Sequence, residues 1–188
     1  MAALPILRMG HPVLRRKAEP VADPGAPEIH ALVADMLDSM QAAMGVGLAA
    51  PQIGVSRRVV IFMVPAARVT DDPADSALPL TVLVNPEVEP VGEEVALAWE
   101  GCLSVPGMRG AVPRPARVRY RGVGLDGVAV ERVVGGFHAR VVQHEVDHLD
   151  GILYPQRMTD MTLFGFTEEM AALGATAPTR PELDIAED

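Results

Sequence analysis

The segment from residue 137 to residue 150 constrains the fold of this chain more than any other part of the sequence. It reads FHARVVQHEVDHLD, and helical spacing divides it into two stripes on opposite sides. One stripe consists of Phe137, Val141, His144 and His148, and the other consists of Val142, Val146 and Leu149. A helix that is apolar on two faces is buried between other layers of structure. We therefore predict a buried helix from about residue 137 to residue 150, with Gly151 where helices often stop.

The remainder of the chain predicts several strands and one further long helix. The helix covers residues 27 to 44, with Pro27 near its start and Gly45 just past its end. The strand candidates are short and separated by Gly or Pro, and they read RRVVIFMVP, TVLVNPEVEPV, EVALAW, ARVRYRGVG and VAVERVV. The stretch ARVTDDPADSALP is predicted to be an exposed loop. Strands between two dissimilar helices favour the α+β fold class over a regular βαβ series.

The length of 188 residues fits one domain with a sizeable core. No internal repeat or linker divides the chain, so we expect a single domain over residues 1 to 174. The stretch DMTLFGFTEEMAALG predicts a short terminal helix. Residues 175 to 188, ATAPTRPELDIAED, have little to bury and are expected to form a flexible acidic tail.

Charge and cysteine content limit the partners and the compartment. The formal net charge of −9 argues against a DNA or RNA groove, which would need clustered Lys and Arg. Cys102 is the single cysteine, so no disulfide can form within the chain, and this usage fits a reducing compartment. No apolar run is long enough for a signal peptide or a membrane span. We expect a cytoplasmic protein with no DNA or membrane partner.

His144 and His148 lie four residues apart on the predicted helix, so their imidazoles can converge on one ion. With Glu145 between them they form an HExxH pattern, which is typical of metal-binding helices. The structural alternative is a pair of hydrogen-bonded core histidines. Burying both on an apolar stripe without a purpose would be costly, so a metal site is favoured.

The third protein ligand of such a site must come from elsewhere in the chain. Tyr154 stands where a metzincin carries its third histidine, which excludes that arrangement. Glu168 lies 20 residues after His148, a gluzincin spacing, but the aspartate that usually follows it by four residues is absent. Cys102 ends a predicted strand and enters a turn containing Gly and Pro, where a thiolate could face the helix. Spacing alone leaves Glu168 and Cys102 open.

Three stretches together resemble the peptide deformylase family. They are GVGLAAPQ at residues 45 to 52, EGCLS at residues 100 to 104 and QHEVDH at residues 143 to 148, in the family's order. The opening ILRMGHPVLR is also similar, so the resemblance extends from residue 5 to about residue 166. It implies an α+β fold with antiparallel β-sheets packed around a central buried helix that carries HExxH. It also implies an enzyme that removes the formyl group from the N-terminal N-formylmethionine of newly synthesised polypeptides and releases formate.

The resemblance further implies a metal site and roles for the residues around it. The metal ligands would be Cys102, His144 and His148. They would hold one divalent ion, natively Fe(II), with Zn, Ni or Co able to replace it. Glu145 would take the proton of the attacking water and pass it to the leaving amine. The Gln52 side-chain amide and the Leu103 backbone N–H would donate to the negative oxygen of the tetrahedral intermediate.

Substrate recognition is expected along the same helix. Val46, Phe137 and Val141 would line an apolar pocket for the methionine side chain. Gly47 would let backbone approach the substrate closely. Arg109 matches a position that contacts the peptide backbone of the substrate in the family.

The partners implied by the resemblance are N-formylmethionyl nascent peptides and, transiently, the ribosome. The acidic end PELDIAED argues against ribosome docking through the tail. A non-catalytic module that binds a metal or nascent chains is the alternative from another functional class. Glu145 and Gln52 argue against it, because metal binding alone requires neither residue.

Overall fold

The computed structural model describes residues 3 to 172, which contain three α-helices and eight β-strands. The helices are α1 (Pro27–Ala42), α2 (Gly136–Leu149) and α3 (Thr167–Ala172). The strands are β1 (Gly47–Ala49), β2 (Val59–Val64), β3 (Leu78–Pro90), β4 (Val95–Cys102), β5 (Val105–Pro115), β6 (Val118–Val123), β7 (Ala129–Val134) and β8 (Phe164–Phe166). None of the helices in this range is long and apolar enough to cross a membrane.

The strands form two antiparallel sheets. The larger sheet has the order β1-β2-β3-β6-β7 and the smaller has the order β4-β5-β8. Strand β2, in the larger sheet, is apolar on both faces because its side chains alternate between two covered surfaces. Val59 and Ile61 join one core cluster, whereas Val60 and Phe62 join another. The larger sheet is therefore covered on both sides.

The two long helices supply those covers. Buried residues of α1 that pack against Val59 and Ile61 include Ile29, Leu32, Met36 and Met40. On the other side, Val142, Val146 and Leu149 of α2 pack against Val60 and Phe62. The opposite stripe of α2 turns towards the smaller sheet, where His148 lies beside Cys102 at the end of β4. Helix α2 thus lies between the two sheets, with His144 and His148 facing β4.

The α+β class and the five strand candidates predicted from the sequence are confirmed. Strand β5 is absent from the prediction because its sequence, VPGMRGAVPRP, contains three prolines and two glycines. It nevertheless pairs with β4 along most of its length, while β8 pairs with Met108–Gly110 alone. Pro113 and Pro115 therefore lie beyond β8, where the missing N–H groups remove no ladder hydrogen bond on that side.

The prediction of one helix at the C-terminal end of the domain is wrong in part. Met161–Leu163 is a 3-10 helix and Phe164–Phe166 is β8, so that only Thr167–Ala172 is α-helical. Pairing with β5 overrides the local helical pattern here, as tertiary contacts often do. The predicted tail from residue 175 lies outside the described residues.

Candidate metal centre

Three side chains with metal-binding atoms converge where β4 ends beside α2. They are Cys102, His144 and His148, and their donor atoms all lie within 4.8 Å of one another. The Cys102 Sγ lies 3.3 Å from the His148 Nε2, and the two imidazole centroids are 5.1 Å apart. One thiol and two imidazoles form a donor set that suits Zn and similar transition metals, and catalytic zinc sites commonly use three protein ligands. Glu168, the other third-ligand candidate, is exposed on α3 and is not part of this group.

The turn between β4 and β5 places the thiol. Cys102 and Val105 are paired across a hairpin, with Leu103 and Ser104 at its tip. The Ser104 N–H lies 3.4 Å from the Cys102 Sγ, and the Gln52 Nε2 lies 3.6 Å from it. Both groups donate towards the sulfur, which holds the Cys102 side chain in place facing α2.

Glu100, two residues before Cys102, orients the first histidine. Its Oε2 lies 2.8 Å from the His144 Nδ1. Burial acts to raise the pKa of Glu100, but hydrogen bonds from His144 and Arg114 hold that pKa well below its ordinary value. An ionised carboxylate can only accept, so the Nδ1 of His144 carries the proton and its Nε2 is left for a metal.

Arg114 on β5 joins the two elements that carry the metal-binding residues. Its guanidinium donates to Glu100 on β4 at 2.5 and 3.0 Å and to Asp147 on α2 at 2.8 Å. Arg140 adds a hydrogen bond of 2.8 Å to Glu100, and Arg157 reaches Asp147 at 2.6 Å. Glu100 and Arg114 keep only 4% and 5% of their side-chain surface exposed. A paired network buried this deeply fixes the position of β4 relative to α2.

Glu145 lies next to His144 on α2 but is not one of the three donor residues. It is buried, and its Oε2 has no hydrogen-bond partner within the described residues. Burial raises the pKa of Glu145 to about 7. A carboxyl group with that pKa can both take up and release a proton near neutral pH.

Gly47 is close to Glu145, which gives it a role different from the one expected from the sequence. A Cβ atom built on Gly47 would lie 2.2 Å from the Glu145 Oε1, far inside any tolerated contact. Because Gly47 has no side chain, the Glu145 carboxylate can occupy the space beside it. Gly47 also lines the cleft, so close approach of a substrate there remains a prediction.

A cleft of about 480 Å³ opens beside Cys102, His144 and Glu145. Of the residues expected to contact substrate, Val46, Gly47, Phe137 and Val141 line it, as do Gln52 and Leu103. Arg109 does not line the cleft itself. Its guanidinium lies over the ring of Trp99, and Trp99 is one of the lining residues. A larger depression of about 750 Å³ beside Asp23, His30 and Asp126 shares no residue with this cleft. The thiol, imidazole and carboxylate groups of the candidate metal centre therefore lie at the smaller of the two openings.

Comparison with known proteins shows which family this chain belongs to. The family model described as polypeptide deformylase matches residues 3 to 163. The chain belongs to the polypeptide deformylase family. Peptide deformylase 2 of Ralstonia nicotianae is 56% identical over 165 residues, which cover 87% of this chain and 92% of that protein. Peptide deformylase 1 of Nitrosomonas europaea is 53% identical over 166 residues, which cover 88% and 93% of the two chains.

A solved deformylase structure has the same fold. The class I type b peptide deformylase of Acinetobacter baumannii with Met-Ala-Ser bound has a TM-score of 0.74 and 39% identity, covering 84% of this chain and 100% of that one. The range matched to the deformylase family includes Cys102, His144, His148 and Glu145, whereas Glu168 lies beyond it.

Three charged residues that support this deformylase site through hydrogen bonds are absent from the sequence-based prediction, namely Glu100, Arg114 and Asp147. Glu100 and Asp147 stand inside the quoted motifs EGCLS and QHEVDH, so their positions could have drawn attention to them. Arg114 lies in the proline-containing strand β5, and no local pattern connects it to residue 147. Only the fold brings them together.

Proposed function

We propose that this protein is a metal-dependent hydrolase that removes the formyl group from the N-terminal N-formylmethionine of newly synthesised polypeptides and releases formate. The observation that carries the proposal is the buried Glu145 carboxylate beside a thiol and two imidazoles, at the base of an apolar cleft. Family membership supports the same reaction. Residues 1 to 174 would constitute the single catalytic domain.

Cys102, His144 and His148 are the residues that would hold the metal. When bound, a divalent ion there would supply Lewis acidity, which lowers the pKa of water and polarises a carbonyl group. The mixed N and S donor set is compatible with Fe(II), our proposal for the native ion, and with Zn, Ni or Co.

Glu145 would handle the proton in the reaction. Its carboxylate would take the proton of the attacking water and return it to the amine nitrogen that leaves as the formyl C–N bond breaks. The pKa of about 7 that burial gives to Glu145 suits a group that must do both near neutral pH.

Gln52 and Leu103 would stabilise the negative charge that develops on the formyl oxygen. The Gln52 Oε1 accepts a hydrogen bond of 2.8 Å from the Ala49 N–H, which orients the Nε2 towards Cys102. Leu103 lies at the hairpin tip next to Cys102, where its N–H would be the second donor. Donors held in place before the reaction stabilise such a charge without reorganisation.

The substrate's methionine side chain would occupy the apolar wall of the cleft. Val46, Phe137 and Val141 lie there beside His144 and are themselves apolar. An unbranched thioether fits such a surface, whereas a charged side chain would lose hydration on entering it. Arg109, placed over Trp99 at the edge of the cleft, would contact the peptide backbone that follows.

The partners proposed are N-formylmethionyl nascent peptides, met during transient association with ribosomes in the cytoplasm. Such substrates carry a blocked, uncharged N-terminus, and the formyl group at that end would lie beside Cys102, His144 and Glu145.

Formate release from formyl-Met-Ala-Ser by anaerobically prepared protein tests the proposed function. We expect one formate and one free Met-Ala-Ser for each peptide consumed, with activity lost after chelation and restored by one equivalent of Fe(II), Ni or Co. The proposal fails if no formate is released with any of these ions, or if an internal peptide bond is cleaved instead.

A further inference from the structure

Two guanidinium groups stand over aromatic rings in the walls of the cleft. The Arg68 Cζ lies 5.0 Å from the centroid of the Phe137 ring, and the Arg109 Cζ lies 4.6 Å from that of Trp99. Phe137 belongs to α2 and Trp99 to β4, and both line the cleft. The face of an aromatic ring attracts a cation, so each guanidinium is held at the opening.

Arg68 is the exposed charge among the residues that line the cleft. The other charged lining residues are less accessible: Glu100 and Arg140 bind each other at 2.8 Å with 4% and 11% of their side-chain surface exposed, and Glu145 is buried. Within residues 3 to 172, Arg68 takes part in no ion pair. Its positive charge is therefore available to a ligand.

The segment that carries Arg68 is fixed to the start of α2. Arg68 ends the 3-10 helix Ala66–Arg68, and Asp75 ties the following loop to the helix. The Asp75 Oδ2 accepts from the Thr70 N–H and from the Phe137 N–H, both at 2.8 Å. A Cβ atom on Gly136 would lie 2.2 Å from the Thr70 Oγ1, so the loop and helix fit together only because that residue is glycine. A cation presented from such a fixed segment loses little freedom on binding.

We propose that Arg68 is a specificity-determining residue that favours substrates with an acidic side chain among the residues directly after formyl-methionine. The inference rests on the proposed function. Because the formyl group removes the N-terminal charge, substrates differ in charge mainly through those following side chains. The net charge of −9 repels acidic peptides at long range, so the preference must come from local contact at the cleft.

Charge-matched peptides test the proposal. The substrates are formyl-Met-Ala-Ala-Ala and its derivatives with Glu, Gln or Lys at the second, third or fourth position. At one position or more, wild-type protein should hydrolyse the Glu peptide with a kcat/KM at least about fivefold above that of the Lys peptide, as expected for an ion pair near the surface. The difference should appear mainly in KM and decrease at high salt.

Two variants and a control separate charge from structure. Arg68→Met keeps an apolar stem and should bring the Glu to Lys ratio close to one, whereas Arg68→Lys should retain part of it. Arg16→Met removes an exposed arginine that does not line the cleft and should leave the ratio unchanged.

The proposal about Arg68 is overturned if wild-type protein treats Glu, Gln and Lys peptides alike at every position, if it prefers Lys, or if Arg68→Met keeps the preference. If wild-type protein fails to release formate even from formyl-Met-Ala-Ala-Ala, the proposed function itself is wrong. If the neutral peptide is hydrolysed and the charged peptides show no difference, the role proposed for Arg68 is wrong, but the proposed function stands.

Discussion

At the scale of single residues, Gly47 and Glu145 depend on each other. Glu145 is enclosed on α2, and the space for its carboxylate exists because β1 has no side chain at residue 47. The motif GVGLAAPQ predicts that this glycine matters, but it does not reveal the contact with a carboxylate almost a hundred residues later. A short-range pattern therefore encodes a long-range steric requirement.

Replacement of Gly47 by alanine should displace the Glu145 carboxylate and lower kcat. The loss should approach that of Glu145→Gln, which removes a general base and should cost roughly 10²- to 10⁴-fold. Metal content should be retained in both variants, since neither residue belongs to the metal-binding group. Steady-state formate release together with metal analysis provides the measurement.

Gly25→Ala is the matched control for this change. A Cβ atom at Gly25 would meet its nearest neighbours at 3.4 and 3.5 Å, which is ordinary contact, and the residue is not part of the cleft. Gly25→Ala should therefore keep wild-type kcat. Full activity in Gly47→Ala would show that Glu145 does not need its present position.

At the scale of secondary-structure elements, the site depends on the placement of β4 and β5 against α2. Helix α2 is predictable because its two apolar stripes and its HExxH pattern are local features. Strand β5 is not predictable from local sequence, because proline disfavours strands. Its pairing with β4 nevertheless accommodates the three prolines. Arg114 lies on that strand, so the network around Glu100 and Asp147 could not be derived from the sequence.

Arg114→Met should weaken metal binding without touching a metal-binding residue. Loss of the guanidinium leaves Glu100 and Asp147 buried without their shared partner, which typically costs roughly 3–5 kcal/mol of stability. His144 would also lose part of its orientation, so the affinity for Zn should fall roughly 10- to 100-fold. Urea unfolding of the metal-free protein and a competitive chelator titration measure the two effects.

Arg157→Met serves as the comparison, because Arg157 also binds Asp147 but its side chain is 46% exposed. An ion pair of this kind should contribute less than about 1 kcal/mol, with little change in metal affinity. Equal effects of the two substitutions would contradict a special role for Arg114.

At the scale of the whole molecule, α2 also contributes a buried histidine to the core away from the metal-binding group. The His138 Nε2 lies 3.1 Å from the Tyr120 hydroxyl, and its Nδ1 has no partner within the described residues. Burial, helped by the nearby charge of Arg132, lowers the pKa of His138 to about 4. The imidazole is therefore mainly neutral in the folded protein above about pH 4.

This depressed pKa predicts a loss of stability in acid. In the unfolded chain His138 titrates near its ordinary pKa of about 6.5, so between pH 6.5 and pH 4 the unfolded state binds the extra proton. The free energy of unfolding should therefore fall as the pH decreases through that window, by up to roughly 3 kcal/mol from this residue. Urea unfolding at several pH values, compared with His138→Gln, isolates the contribution. Identical pH dependence in the two proteins would contradict it.

The architecture as a whole was only partly accessible from the sequence. The fold class, both long helices and five strands follow from hydrophobic patterns, and the expected motifs come together at one cleft. The pairing of β8 with β5 and the position of Arg109 over Trp99 depend on contacts between distant parts of the chain. Local propensity carries no information about such contacts.

The central claim is that Cys102, His144 and His148 hold the metal on which the proposed hydrolysis depends. Absorption spectroscopy of the Co(II)-substituted protein tests it most directly, because a thiolate bound to Co(II) gives an intense near-ultraviolet charge-transfer band that a carboxylate does not. Wild-type protein and Glu168→Ala should both show this band at one equivalent of Co(II), and Cys102→Ala should lose it. A missing band in wild-type protein, or a band that persists in Cys102→Ala, would contradict the assignment of the metal centre.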